Sequence, residues 1–146
     1  VVVSAICGFL LWYSQPIPSK VGSICSVTMG GLELSLAHDD PTVIPPEGPG
    51  TLAFIDCKVV SFPAQEVFLE VTDPKGKGEG ISMVYEEVRD AWISSKWRIP
   101  SLIGLYTFRF TAYRDVDGPL FKRREYITQS FYLSMQEWAG GGAQWR

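Results

Sequence analysis

The chain has 146 residues, 13 Lys+Arg against 16 Asp+Glu for a net charge of −3, and 46% apolar residues. This is the size of one domain able to bury its own core. The acidic balance, with basic residues scattered except at Lys122-Arg123-Arg124, argues against nucleic acid as a partner. Aromatic residues at 13%, 14 glycines and 10 prolines, with apolar residues in short alternating runs, predict an all-β fold. Asparagine is absent, which removes any Asn-x-Ser/Thr glycosylation site; a thermophilic source, where this labile residue is shed, is one reading of the gap and codon bias is the other.

The first element is VVVSAICGFLLW, an uncharged arm followed by Pro16 and Pro18. As a helix its twelve residues extend roughly 18 Å, short of the about 30 Å hydrocarbon core of a bilayer. No basic run precedes it and no small-x-small cleavage pattern follows, unlike a secretory signal. As a strand it places Val1, Val3, Ala5, Cys7, Phe9 and Leu11 on one face and Val2, Ser4, Ile6, Gly8, Leu10 and Trp12 on the other. As a helix it is apolar all round, so either conformation demands burial on every side. Burying eight large apolar side chains gains roughly 12–24 kcal/mol, about what fixing twelve backbone residues costs. Ordering therefore requires a large preformed apolar surface that also completes the arm's hydrogen bonds, and copies of the same subunit are one source. The leading valines and Gly8 favour extended structure, whereas length and apolar continuity favour a helix; both remain open.

Ile24 to Met29 alternates, with Cys25, Val27 and Met29 on one face and Ser26 and Thr28 on the other. Gly30-Gly31 then joins it to LELSLAHD, with Leu32, Leu34 and Leu36 inward, which predicts a hairpin. DDPTVIPPEGPG is a loop by its four prolines and its glycines. TLAFIDCKVVSF, apolar in places on both faces, reads as a central strand. EVFLEVTD follows with Val67, Leu69 and Val71 inward, and PKGKGEG is an exposed turn. ISMVYEEV and AWISSKWRI are less regular strands, with a helical turn as the alternative for Glu86 to Ala91. Tyr106, Phe108, Phe110 and Ala112 share one face of the next strand and Thr107, Arg109, Thr111 and Tyr113 the other, with a hairpin turn at Asp115 to Gly118. The returning strand REYITQSFYLSM faces Ile127, Phe131, Leu133 and Met135 inward. Seven or eight short strands with frequent turn signals and no long helix predict an antiparallel β-sandwich. The organisation expected is an apolar arm over residues 1–19, a sandwich over 20–137 and a glycine-rich tail over 138–146.

Three cysteines give one pair and one leftover. Cys25 and Cys57, both in strand-like runs, form the candidate disulfide of an exported protein; three buried free thiols are the alternative. Catalytic chemistry finds no foothold, so no enzyme and no cofactor is expected. His38 stands beside Asp39 and Asp40 at a strand end, without the three or four suitably spaced ligands that zinc needs. Asp115-Val116-Asp117-Gly118 resembles the start of a calcium loop, but later ligands fall at the wrong offsets. Adjacent Glu86 and Glu87 point to opposite faces of a strand and cannot act as a carboxylate pair. Trp92, Trp97, Tyr113, Tyr132, Trp138 and Trp145 exceed what one small core needs, so packing within or between subunits is expected of them, with a sugar-stacking platform as the alternative.

PTVIPPEGPGTLAF, followed by IPSLIGLYTFRFTAYRDVDG, resembles the immunoglobulin-like modules of bacterial and archaeal surface proteins, which carry Pro-x-x-x-Gly-x-Tyr-x-Phe before a strand. Pro100, Gly104, Tyr106 and Phe108 occupy those places. The resemblance covers roughly Leu32 to Met135 and implies an immunoglobulin-like fold, with a structural corner at Pro100, Gly104 and Tyr106 where the tyrosine hydroxyl bonds nearby backbone. An apolar arm ahead of such a domain resembles archaeal type IV pilins, although their helices are longer and Pro16 and Pro18 would stop this one early. The short length also suits donation of a strand to a neighbour's sheet. The function expected is a structural subunit of an extracellular filament or pilus. Its partners would be copies of itself, its location the cell surface or beyond, and membrane contact would occur before assembly if at all. The assembly residues would be Val1, Val2, Val3, Ile6, Phe9, Leu10, Leu11 and Trp12. The alternative is a surface adhesion module that binds carbohydrate or protein and keeps an N-terminal anchor.

Overall fold

In the computed structural model, which describes residues 15–44, 52–98 and 102–136, the described chain is all strand and connection, with no helix. The strands are β1 Ile17–Pro18, β2 Ser23–Met29, β3 Leu32–Glu33, β4 Thr42–Ile44, β5 Leu52–Ala53, β6 Ile55–Val60, β7 Glu66–Thr72, β8 Gly78–Glu86, β9 Ala91–Ser94, β10 Trp97–Arg98, β11 Gly104–Val116 and β12 Arg123–Met135. The main sheet runs β1-β12-β11-β7-β8-β9-β6-β2-β3, with β4 also on β12, while β5 and β10 form a separate pair.

β11 and β12 anchor this sheet because they are its longest strands and alternate apolar residues along both face the core. They pair antiparallel from Gly104 opposite Met135 to Val116 opposite Arg123, and β7 continues the ladder on the other side of β11. Tyr106, Phe108, Phe110 and Ala112 of β11, Val67, Leu69 and Val71 of β7, and Ile127, Phe131, Leu133 and Met135 of β12 are all buried. Phe110 meets Phe131 edge to face, with ring centroids 5.7 Å apart, the geometry that aromatic quadrupoles favour.

β8 joins the two halves of the sheet. Gly78 to Ser82 pairs with β7, and Met83 to Glu86 pairs with β9. Beyond β9 lie β6, β2 and β3, whose inward residues Ile24, Val27, Met29, Ile55 and Cys57 join those of the first half in one buried cluster. β2 and β12 touch without sharing a ladder.

Several expectations are corrected. The sheet is mixed rather than wholly antiparallel, because β1 and β4 run parallel to β12 on its outer edge. Ile17 and Pro18, expected in the arm, therefore belong to the sheet. Gly30-Gly31 does turn β2 into β3, both glycines with φ > 0, the twist a two-residue hairpin requires. However, β3 stops at Glu33; Leu34 is buried, whereas Leu32 and Leu36 are exposed. The turn expected at Asp115 to Gly118 is displaced, since Asp115 and Val116 are paired strand residues and the chain reverses over residues 117–122. Glu86 to Ala91 is a tight reversal with Asp90 N donating to Glu87 O at 3.2 Å.

The bulge in β2 changes which side chains reach the core. Cys25 pairs with Lys58 and Val27 with Cys57, so Ser26 is the extra residue, at φ 52. The insertion resets the alternation and turns Ile24, rather than Cys25, inward. Cys25 shares its side of the sheet with exposed Lys58, and Cys57 shares the other with buried Val27. The two thiols leave opposite faces and, among the described residues, neither is in a disulfide, which departs from the candidate Cys25–Cys57 pairing.

Candidate functional site

The described surface has two distinct features: the outer edge of β12 and a groove between two connections. On β12 the backbone groups of even-numbered residues point to the outer edge. Tyr126 O accepts from Ser19 N at 2.8 Å, Tyr132 N donates to Ser35 O at 2.8 Å, and Gln136 N donates to Ile44 O at 3.0 Å. β1 covers Glu125 and Tyr126, Ser35 bridges Tyr132, and β4 covers Leu133 to Met135. Between these, from Ile127 to Phe131, no strand pairs with the outer edge among the described residues. Thr128 and Gln129 in this gap are the exposed residues of β12. On the outer face beside it, Pro16, Arg109, Thr111, Tyr113, Tyr126 and Thr128 line an open cavity of about 370 Å³.

The groove is a cavity of about 510 Å³ between the β6–β7 and β8–β9 connections, walled by Phe62, Tyr85 and Trp92. Tyr85 and Trp92 face each other at 5.5 Å between ring centroids. The Tyr85 hydroxyl donates to Asp90 Oδ1 at 2.5 Å, and that bond, ahead of desolvation and the Asp90 and Glu87 charges, raises its pKa. Ser61 and Asp90 on this rim both have left-handed backbone, at φ 57 and 50, a conformation that costs a residue with a Cβ about 1–2 kcal/mol.

At the expected corner, Tyr106 is 1% exposed and its hydroxyl donates to Leu102 O at 2.5 Å, four residues upstream. Its pKa is raised by burial and, secondarily, by the charge of Asp73. Gly104 has φ 134, and a Cβ there would lie 2.6 Å from Pro74 Cβ. Pro100, the assembly residues Val1, Val2, Val3, Ile6, Phe9, Leu10, Leu11 and Trp12, and the tail with Trp138 and Trp145 lie outside the described residues.

The remaining candidates do not converge. His38 is exposed, 3.4 Å from Asp39 Oδ1 and edge to face with Tyr132 at 5.1 Å. No cluster of metal-ligating side chains occurs among the described residues. Trp92 and Trp97 are buried, so they belong to the core rather than to an exposed platform. Trp97 packs edge to face on Phe108 at 5.7 Å and donates from Nε1 to Glu79 at 3.3 Å. Arg109 pairs with Glu70 at 2.9 Å on the outer face, whereas Arg114 and Glu125, paired at 2.7 Å, continue the core-facing side of β11 and β12, with Arg114 over the Phe62 ring. Arg124 of the basic run is paired with Glu66 and stacked over Tyr113, so its charge is already compensated within the sheet.

Sequence reasoning missed the gap in β12 because it depends on how far β1 and β4 extend over a strand more than eighty residues away. One signal was present: Thr128-Gln129-Ser130 is a polar run between the apolar residues Tyr126-Ile127 and Phe131 to Leu133. Compared with protein-family models, curated proteins and solved structures, the chain shows no match.

Proposed function

We propose that this chain is a structural subunit of an extracellular filament. An immunoglobulin-like sandwich forms its body, and the apolar segment Val1–Trp12 joins it to neighbouring copies. The observation carrying this reading is where the arm is attached. β1, which directly follows it, is the outermost strand of the sheet, and both Gln15 and Pro16 are exposed. A segment that demands burial on every side thus joins the body at its rim. The passage of β8 between the two halves and the Tyr106 hydroxyl bond support the sandwich reading. Contacts of arm to body repeat head to tail, and such contacts produce open filaments when their rotation does not close.

The test uses the full chain. Sedimentation velocity of wild type is compared with an Ile6→Asp/Leu10→Asp variant, with circular dichroism as the folding control. Wild type is expected to form large assemblies and the variant to remain monomeric at the same concentration, because two charges must otherwise be buried unpaired. Equal sedimentation of the two contradicts the proposal.

The groove of Phe62, Tyr85 and Trp92 favours a second reading, a surface module that binds carbohydrate. Tyr85 is the exposed ring of this groove, with Phe62 and Trp92 buried behind it; its face suits the apolar face of a sugar ring, and the Asp90 carboxylate accepts from hydroxyls. Quenching of tryptophan fluorescence by soluble oligosaccharides, lost in Tyr85→Ala, is the result this reading requires.

A further inference from the structure

We propose that the gap in the outer edge of β12 receives residues Val2–Ile6 of a second copy as an added strand. This inference rests on the assembly function proposed above and names the surface that takes the arm. The alternation that turns Tyr126 O and Tyr132 N outward also turns the N–H and C=O of Thr128 and Ser130 outward. Ser130 O accepts from Gln129 Nε2 at 3.3 Å, and among the described residues no strand pairs with this edge over the five residues from Ile127 to Phe131, about 17 Å at the rise of a strand. An exposed edge of this kind is a template for strand addition, in which main-chain hydrogen bonds supply affinity and alternate side chains supply specificity.

Side-chain chemistry selects the occupant. The inward positions of the gap read Ile127, Gln129, Phe131: apolar, polar, apolar. Ile127 and Phe131 are buried, whereas Gln129 is exposed. Val2, Ser4 and Ile6 repeat that pattern at the same spacing, so Ser4 faces Gln129 whether the added strand runs parallel or antiparallel to β12. Val3 and Ala5 then stand opposite Thr128 and Ser130 on the outer face. The five residues contain neither glycine nor proline and three of them are β-branched, which suits a strand, whereas Gly8 just beyond weakens one. Direction favours a second copy as the donor. β1 runs parallel to β12, with Ile17 opposite Glu125 and Pro18 opposite Tyr126, so from Pro18 back to Ile17 the chain steps away from the gap.

Full-length Ser130→Pro and Ser130→Ala variants test this pairing. Proline removes the outward N–H of Ser130 and puts a ring in its place, while alanine keeps the donor. Ser130→Ala is expected to assemble as wild type does. Ser130→Pro is expected to raise the critical concentration about tenfold or more, the effect of roughly one lost hydrogen bond. Amide hydrogen exchange of the wild-type chain supplies the second measurement. Thr128 and Ser130 are expected to become protected on assembly and to exchange freely in dilute monomer. Assembly that leaves these amides exchanging overturns the pairing but not the filament. Protection that persists in dilute monomer overturns donation between copies. A chain that does not assemble at all overturns both proposals.

Discussion

The ladder of β11 and β12 runs through thirteen consecutive pairs, whereas that of β2 and β6 breaks at Ser26 after its first three. In the first region alternate residues reach the core along most of its length, and Tyr106, Phe108 and Phe110 share one face at essentially zero exposure. In the second, one inserted residue shifts the phase, turns Ile24 inward and leaves Cys25 outside. An uninterrupted register thus concentrates the large aromatic side chains, while the bulged one is filled by smaller residues and bends at a residue with left-handed backbone. The two regions should therefore differ in how they respond to substitution.

The largest effect is expected in the continuous ladder. Phe108→Ala should destabilise by about 3–5 kcal/mol in urea unfolding. Leu36→Ala, at a position that alternation alone would put in the core but which is 57% exposed, should stay within about 0.5 kcal/mol. Gly104→Ala comes next, at about 2–3 kcal/mol, because a side chain there meets Pro74 and holds a backbone conformation that favours glycine. Cys57 brings the second region under pH control. Burial, with smaller contributions from Asp56 and Cys25, pushes its thiol from 9.0 up to about 12. The unfolded chain then loses this proton from about pH 9 while the folded chain keeps it, so the thiol's contribution falls by about 1.4 kcal/mol per pH unit between those values. Stability measured against pH should show a shallower decline in Cys57→Ala than in wild type. Tyr106→Phe should cost about 1 kcal/mol through the bond to Leu102 O. The smallest effect is a gain: Ser26→Gly should stabilise by about 0.5 kcal/mol, as relief of the left-handed strain slightly exceeds glycine's entropy cost. A loss there would mean that the Ser26 side chain supports the bulge.

The same contrast explains what could be read from the residues alone. Inward faces of β7 and β11, and of β12 on either side of Gln129, follow from period-two alternation, and the β2–β3 turn follows from Gly30-Gly31, because both signals are local. The Ser26 bulge has no such signal: serine commonly occupies either face, and the phase shift appears only when β6 is laid beside β2. Leu36 was misplaced because the chain bends after Glu33, where Leu34 N donates to Val27 O at 2.9 Å and Ser35 bridges to Tyr132. The gap in β12 lies still further from local pattern, since β1 and β4 define it from opposite sides. The apolar character of Val1–Trp12 is read from composition alone; the edge proposed to receive it is not.

The most direct test of self-assembly through the arm is electron microscopy of the full chain across a dilution series, beside the Ile6→Asp/Leu10→Asp variant. The account predicts filaments of wild type above a critical concentration and dispersed particles of the variant throughout. Dispersed particles from both, or filaments from both, would contradict it.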